Sequence, residues 1–275
     1  MFGASLYWSA LKPSHYGEWQ VLQQRLPTVE LGQDERGEFY RIDNLRDFRY
    51  HPDGSIAQVE YRAARYAATD LQRIWLGISH FGGYGLAHTF LSFEFSNNEF
   101  LAASVEARLR PGQSYSPLMG LVRQYNKLIV LGSEADIIGL RSHIRAERVL
   151  LYPLQLEQTQ MDYVFHALMK DAQALEQQPD FYNTLLDNCT TNLLKYDPDY
   201  RFYTSLLDYR LLLPGYSDAV AQEKGWITSA QSLNDLRLQA TINVAAGGPE
   251  RDDFSQTIRR GYLPESAVSS PKPNK

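Results

Sequence analysis

Apolar and polar positions change period several times along the chain, and each change predicts an element. Residues 1–30 are mixed, with Trp8, Trp19, Leu22 and Leu26 along a packed N-terminal segment. Residues 38–66 read as strands: Glu38-Phe-Tyr-Arg-Ile-Asp, then Phe48-Arg-Tyr, then the alternating Gln58-Val-Glu-Tyr-Arg-Ala. His51-Pro-Asp-Gly between them is a turn. Residues 68–78 carry helical spacing at Leu71, Ile74, Trp75 and Ile78, with Thr69 or Asp70 as the cap. After the glycine loop His80-Phe-Gly-Gly-Tyr-Gly come two strands, Ala87-His-Thr-Phe-Leu-Ser-Phe-Glu-Phe and Phe100-Leu-Ala-Ala-Ser-Val-Glu-Ala-Arg, joined at Ser96-Asn-Asn-Glu. Asn tolerates positive φ, so this pair predicts a hairpin.

Further along, Leu128-Ile-Val-Leu-Gly and Arg148-Val-Leu-Leu-Tyr-Pro-Leu read as strands on either side of a helical or turn-like stretch, Glu134–Arg145. Thr159 opens a helix of about 18 residues, with Met161, Val164, Phe165 and Leu168 on one side. Residues 217–222 and 229–246 look helical, and Phe254-Ser-Gln-Thr-Ile-Arg-Arg predicts a final short helix. Ser266–Lys275 is rich in Pro, Ser and Lys and is expected to be disordered. No internal repeat is present.

Composition adds bounds. The chain has 275 residues, enough for one large domain or two, and 44% hydrophobic residues, enough for a substantial core. The net charge of -5, with scattered Lys and Arg, argues against a nucleic-acid partner. A single cysteine excludes an internal disulfide and leaves the redox compartment open. No apolar run approaches the roughly 18–20 residues that span a bilayer. The start lacks a basic n-region and a clear cleavage site, so it reads as a natural soluble start or a trimmed one. Metal catalysis is not expected: there is no His-Glu-x-x-His, no Cys pair and no close His cluster. Gly-x-Ser-x-Gly is absent too.

The candidate chemistry centres on Tyr182–Tyr196, which holds the lone Cys189. Asn188 fits an N-cap, placing Cys189 at the first position of a helix. Free N–H groups and the helix dipole there favour the thiolate, and the same N–H groups can hold an oxyanion. A buried structural cysteine is the alternative, although Asp187, Asn188, Thr190, Thr191 and Asn192 make polar surroundings. A thiolate needs a base. Of six histidines, His15 and His51 sit in loops, His143 in a charged segment and His166 within the long helix. His80 borders the glycine loop and lines a site if one lies there. His88 heads a rigid strand and is the expected base, with a hydrogen-bonded strand histidine as the alternative. Glu106 is the expected orienting partner, ahead of Ser104 and Glu94. A two-residue turn sets His88 opposite Ala107, so pairing with Glu106 requires a bulge or a three-residue turn.

Several stretches together resemble the Lnb N-terminal periplasmic domain family of bacterial envelope proteins: Ile42-Asp-Asn-Leu-Arg-Asp-Phe-Arg-Tyr, Ala87-His-Thr-Phe-Leu-Ser-Phe, Ser104-Val-Glu-Ala-Arg, Leu151-Tyr-Pro-Leu, Phe181-Tyr-Asn-Thr-Leu-Leu-Asp-Asn-Cys-Thr-Thr-Asn-Leu, Leu212-Leu-Pro-Gly-Tyr and Ile242-Asn. The resemblance covers residues 15–260. The order His then Cys is also similar to circularly permuted NlpC-type thiol enzymes. The resemblance implies an α+β fold with a permuted papain-like core, its antiparallel sheet packed against the helix that carries the cysteine. It implies one catalytic domain over residues 1–260, with a helical and loop extension from about residue 200. It further implies a cysteine-dependent acyltransferase or hydrolase acting on lipoprotein acyl chains, with Cys189 as nucleophile, His88 as base and no cofactor. Glu106 matches the family's Val-Glu-Ala-Arg segment. Asn188, Thr190, His80 and Tyr182 are the expected substrate-binding or oxyanion residues. Where the family usually has Ser-Pro, this chain has Ser79-His80. A periplasmic location, a lipid or lipoprotein substrate at the membrane surface, and membrane attachment through a further segment complete the expectation. A cell-wall cysteine peptidase or amidase and a non-catalytic envelope module are the alternatives.

Overall fold

The computed structural model describes residues 11–83, 85–183, 210, 213–243 and 248–262. The expected cysteine helix with Asn188, Cys189 and Thr190, Trp8 and the tail from residue 266 lie outside the described residues.

The fold is mixed α/β around a mostly antiparallel sheet. Its strands are β1 (Thr28–Asp34), β2 (Gly37–Arg46), β5 (Tyr61–Ala67), β6 (Leu71–His80), β7 (Ala87–Phe95), β8 (Phe100–Arg108), β9 (Asn126–Gly132) and β10 (Arg148–Pro153), with a separate small pair of β3 (Arg49–Tyr50) and β4 (Ile56–Gln58). The order across the sheet is β1-β2-β9-β8-β7-β6-β10, and β5 pairs with β2. Among the described residues, the one parallel contact joins β2 to β9 at Arg46 and Gly132. The turn at His51-Pro-Asp-Gly is present, with Gly54 N donating to His51 O at 2.9 Å.

Each face of the sheet carries helices. On one face Phe93 and Phe95 meet Phe165 of the long helix Gln158–Gln177, with ring centroids 5.3 and 5.7 Å apart. That helix opens with a reciprocal Glu157/Gln160 capping box. On the other face lie the helix Glu134–Gly139, its π-helical continuation Leu140–Ile144, and the short helix Phe254–Thr257. Arg259 pins that last segment down, donating to both carboxylate oxygens of Glu134 (2.6 and 2.8 Å) and to Ser92 Oγ (3.0 Å). Gly77 lies opposite Phe90, and a Cβ there would sit 2.1 Å from the ring, so the glycine lets Phe90 lie flat across β6.

Two sequence expectations fail here. Residues 71–80 form strand β6, not a helix. This strand is buried on both faces, with Ile74, Trp75, Leu76, Ile78 and Ser79 all at 1% exposure or less, so its apolar positions do not alternate. The helix expected over 229–246 spans only Leu233–Ala240, after which Thr241 bridges to Leu150. Strand β1 was hidden in a segment without clear periodicity, since only Val29 of its seven residues is buried.

The central hairpin has a three-residue turn. Phe95 N donates to Glu99 O (3.0 Å), and Asn98 takes φ 61°. This shifts the register by one from that of a two-residue turn, giving Leu91↔Ala103 and Glu94↔Phe100. Continued outward, the register sets His88 opposite Glu106.

Candidate functional site

The β7–β8 ladder ends at Leu91↔Ala103, while both strands run on. β7 stays paired with β6 as far as Ala87↔His80, and β8 with β9 as far as Arg108↔Asn126. The sheet therefore opens between its two central strands. A cavity of about 460 Å³ occupies the opening, lined by Ala87, His88 and Thr89 from one strand, by Glu106 and Ala107 from the other, and by Leu109 just past its end.

His88, Ser104 and Glu106 stand on one face across this opening, because residues two apart in a strand share a face. His88 Nε2 lies 2.6 Å from Ser104 Oγ, and Ser104 Oγ lies 3.0 Å from Glu106 Oε1. Arg141, from the π-helical turn, donates to the same Glu106 oxygen at 3.0 Å and is itself held by Ile137 O at 2.9 Å. Burial works against the Glu106 charge, but the Arg141 and Arg46 cations prevail and hold its carboxyl far below the usual carboxylate range. Burial, reinforced by Arg141, drives His88 down to about 3, so the imidazole is neutral.

These charge states fix the tautomer. An ionised Glu106 only accepts, so Ser104 donates to it. The Ser104 oxygen then accepts from His88, which places the imidazole proton on Nε2. Nδ1 is left with its lone pair, as a general base requires. Glu106 thus orients His88 through Ser104, without touching it. Sequence reasoning ranked the two carboxyl and hydroxyl partners in the opposite order of contact.

Further charged side chains line the cavity around this relay. Arg46 is clamped by Asp136 (2.8 and 3.0 Å) and donates to Leu22 O at 2.7 Å. Arg145 stands 3.9 Å from Glu147, whose other oxygen accepts from Ser79 Oγ. Phe81, Leu86, Tyr115, Tyr182 and Leu213 add apolar and aromatic walls. Among the described residues no group of three or more His, Cys, Asp or Glu side chains gathers as a metal would require.

The remaining candidates fall as follows. Tyr182 is buried and lines the cavity, with its N–H donating to Tyr125 O at 2.9 Å. His80 pairs with Ala87, so it points to the opposite face from His88 and is not among the lining residues. Burial first, then Arg148, lowers its pKa. His166 is a satisfied helix histidine, with Nδ1 2.7 Å from Tyr40 OH. His15, in its loop, is held by Leu175 O at 2.8 Å. Asn188, Cys189 and Thr190 are outside the described residues. Arg141, Arg46 and Gln23 were missed. Arg141 sits in a charged segment that resembles surface, and only its 35-residue contact with Glu106 shows otherwise.

A split antiparallel sheet with a histidine relay in the opening defines the class of domain. The family model for the Lnb N-terminal periplasmic domain matches residues 57–217, more than half of the chain, and the chain belongs to that family. The matched stretch contains His88, Ser104, Glu106, Arg141 and Cys189. No curated protein and no solved structure gives a match. The family's periplasmic description fits a periplasmic location, and among the described residues no helix is long and apolar enough to cross a membrane.

Proposed function

We propose that the protein is a thiol-dependent acyltransferase or hydrolase of the bacterial envelope, acting on lipoprotein acyl chains through an acyl-cysteine intermediate. The observation that carries this reading is the His88–Ser104–Glu106–Arg141 relay, which leaves Nδ1 as an oriented base at the wall of a cavity. Cys189 is the nucleophile. Tyr182, seven residues before it, lines the cavity, and so do Leu213 and Pro214 beyond it. Seven residues span at most about 25 Å, which is ample reach.

In the reaction, Nδ1 takes the thiol proton as sulfur attacks the ester carbonyl. Backbone N–H groups beside Asn188 and Thr190 hold the oxyanion. The C–O bond breaks, and the imidazolium returns its proton to the leaving alcohol. An amine then attacks the thioester to give an amide, or water attacks to give the free acid, and the thiol is restored. The apolar walls suit an acyl chain. On this reading the sheet is that of a permuted papain-like core, with the base on a strand that precedes the cysteine in the chain.

The charged lining of Arg46, Arg141, Arg145 and Glu147 favours a second reading, a peptidase or amidase of the cell wall using the same pair. Incubation with a diacylated lipopeptide and with muropeptides, read by mass, separates the two. Cys189→Ala and His88→Ala should each reduce turnover by at least a thousandfold while the fold persists. Full activity in either variant ends both readings. A Cys189 thiol inert to iodoacetamide in the folded protein counts against catalysis.

A further inference from the structure

His88 stands between two ion pairs that differ in how tightly they close. On the β8 side, reached through Ser104, Glu106 meets Arg141 at 3.0 Å, with side chains 14% and 7% exposed. On the β6 side the residue opposite His88 is Ser79, and directly opposed side chains share a face of the sheet. Ser79 Oγ donates to Glu147, so that carboxylate flanks the histidine from this side. Its partner Arg145 stays 3.9 Å away. Glu147 is held back from it: its N–H donates to Arg141 O at 2.9 Å, its carbonyl accepts from Asn243 at 2.7 Å, and Ser79 takes its other carboxylate oxygen. Arg145 lines the cavity with its side chain 46% exposed, and among the described residues its guanidinium donates no hydrogen bond. Arg46 and Arg141, the other two arginines of the lining, are each taken up by a carboxylate, Asp136 and Glu106. One planar fork of N–H donors is therefore open to a ligand close to the base.

We infer that Arg145 is a specificity-determining residue, which seats an anionic group of the substrate, a phosphodiester or a carboxylate, next to the bond that is cleaved. The inference rests on the acyl-transfer reading above for the chemistry that follows binding. A guanidinium holds either group through two parallel N–H···O bonds, and the geometry adds selectivity to the charge. A single negative charge suits the seat, because Glu147 already offsets part of the arginine's. Phe81, Leu86 and Tyr115 are left for the acyl chain. The substrate that fits is an anionic amphiphile, with its charged group near His88 and its chain along the apolar walls. A phospholipid supplies that anion as its phosphate, and a lipopeptide supplies it as an acidic side chain beside the lipidated cysteine.

The test measures binding to the full-chain Cys189→Ala protein by fluorescence anisotropy, with two pairs of dye-labelled probes. One pair is a diacylated lipopeptide with Asp or Asn after the lipidated cysteine. The other is phosphatidylglycerol or diacylglycerol with the same acyl chains. In at least one pair the anionic member should bind about tenfold tighter, and that pair identifies the source of the anion. Arg145→Gln in the same protein should bring the two members within about twofold. Arg145→Lys, which keeps the charge without the fork, should retain only part of the preference. Comparison within a pair cancels any general loosening of the site. No preference in either pair, or a preference that survives Arg145→Gln, overturns the seat. If Arg145→Gln fails to fold, Arg145→Lys decides, and an undiminished preference there overturns the seat. Cys189-dependent turnover without an anion preference removes the seat alone. An Arg145-dependent preference without Cys189-dependent turnover upholds the seat and removes the enzymatic reading.

Discussion

The hairpin of β7 and β8 has a closed end and a parted end, built on different physics. At the closed end a ladder runs from the Asn98 turn to Leu91↔Ala103, and Phe93, Phe95 and Leu101 are buried to 2% exposure or less. Apolar burial there is non-directional and needs no particular partner atom. At the parted end the contacts are directional: His88 to Ser104, Ser104 to Glu106, Glu106 to Arg141, and Gln23 to the free edge of β8. Each depends on one atom meeting another. The closed end holds the strands together, and the parted end can therefore stay open and polar, in keeping with the way functional sites depart from good packing.

The largest expected effect separates the two ends. Phe93→Ala removes a ring from the contact with Phe165 and should cost about 3–5 kcal/mol, read by urea unfolding. Turnover per folded molecule should stay within about twofold. A folded variant with turnover reduced tenfold or more would show that the two ends are not independent.

Glu106→Gln tests the parted end with a somewhat smaller loss. Arg141 would be left without its carboxylate in a site where the two side chains are 7% and 14% exposed, a cost of about 3 kcal/mol. An amide at 106 can also donate to Ser104, which would let Ser104 donate to His88 and move the imidazole proton to Nδ1. Nitrogen-15 chemical shifts of His88 should report that exchange of tautomers, together with a fall in turnover. An unchanged Nε2–H tautomer in the variant would remove Glu106 from control of the base.

Acid should weaken the parted end first. His88 has a usual value of 6.5 and about 3 in the folded site, so the unfolded chain binds the proton first as pH falls. Stability is complete above pH 6.5 and drains between 6.5 and 3, by at most about 1.4 kcal/mol per pH unit from this one group. His80 and His143, also lowered by burial, share the upper part of that window. Glu106 adds its loss only below its usual 4.5, because its folded carboxyl holds the charge to lower pH. Urea unfolding at a series of pH values should show a shallower slope between pH 6.5 and 4.5 for His88→Gln than for the parent. Identical slopes would mean that His88 is not a buried neutral imidazole.

The two ends were also unequally legible in the sequence. The closed end announced itself through alternation and an Asn-Asn turn, and both strands lie where expected. The register did not follow, because Asn-Asn is compatible with turns of two or three residues and the choice moves every cross-strand partner. His88 and Glu106 could be named because each sits on a strand with clear period. Ser104, two residues before Glu106, had the right parity but no mark of rank. Arg141 and Gln23 were invisible: their partners lie 35 and 84–86 residues away, and a lone Arg or Gln carries no signal of burial. Strand β6 was misread because a central strand buried on both faces loses its period of two.

The smallest predicted effect concerns the turn itself. Asn98 is exposed and adopts φ 61°, which a Cβ tolerates poorly and Asn tolerates best after Gly. Asn98→Ala should cost about 1 kcal/mol, and Asn98→Gly should stay within about 0.5 kcal/mol of the parent, both by thermal unfolding. Turnover should not change in either, because the ladder from Glu94↔Phe100 to Leu91↔Ala103 fixes the register without help from the turn. A slip by one residue would set Ala107 opposite His88 and carry Ser104 and Glu106 to the other face. Loss of turnover in Asn98→Ala with the fold retained would therefore show that the turn, and not the ladder alone, sets the register on which the relay depends.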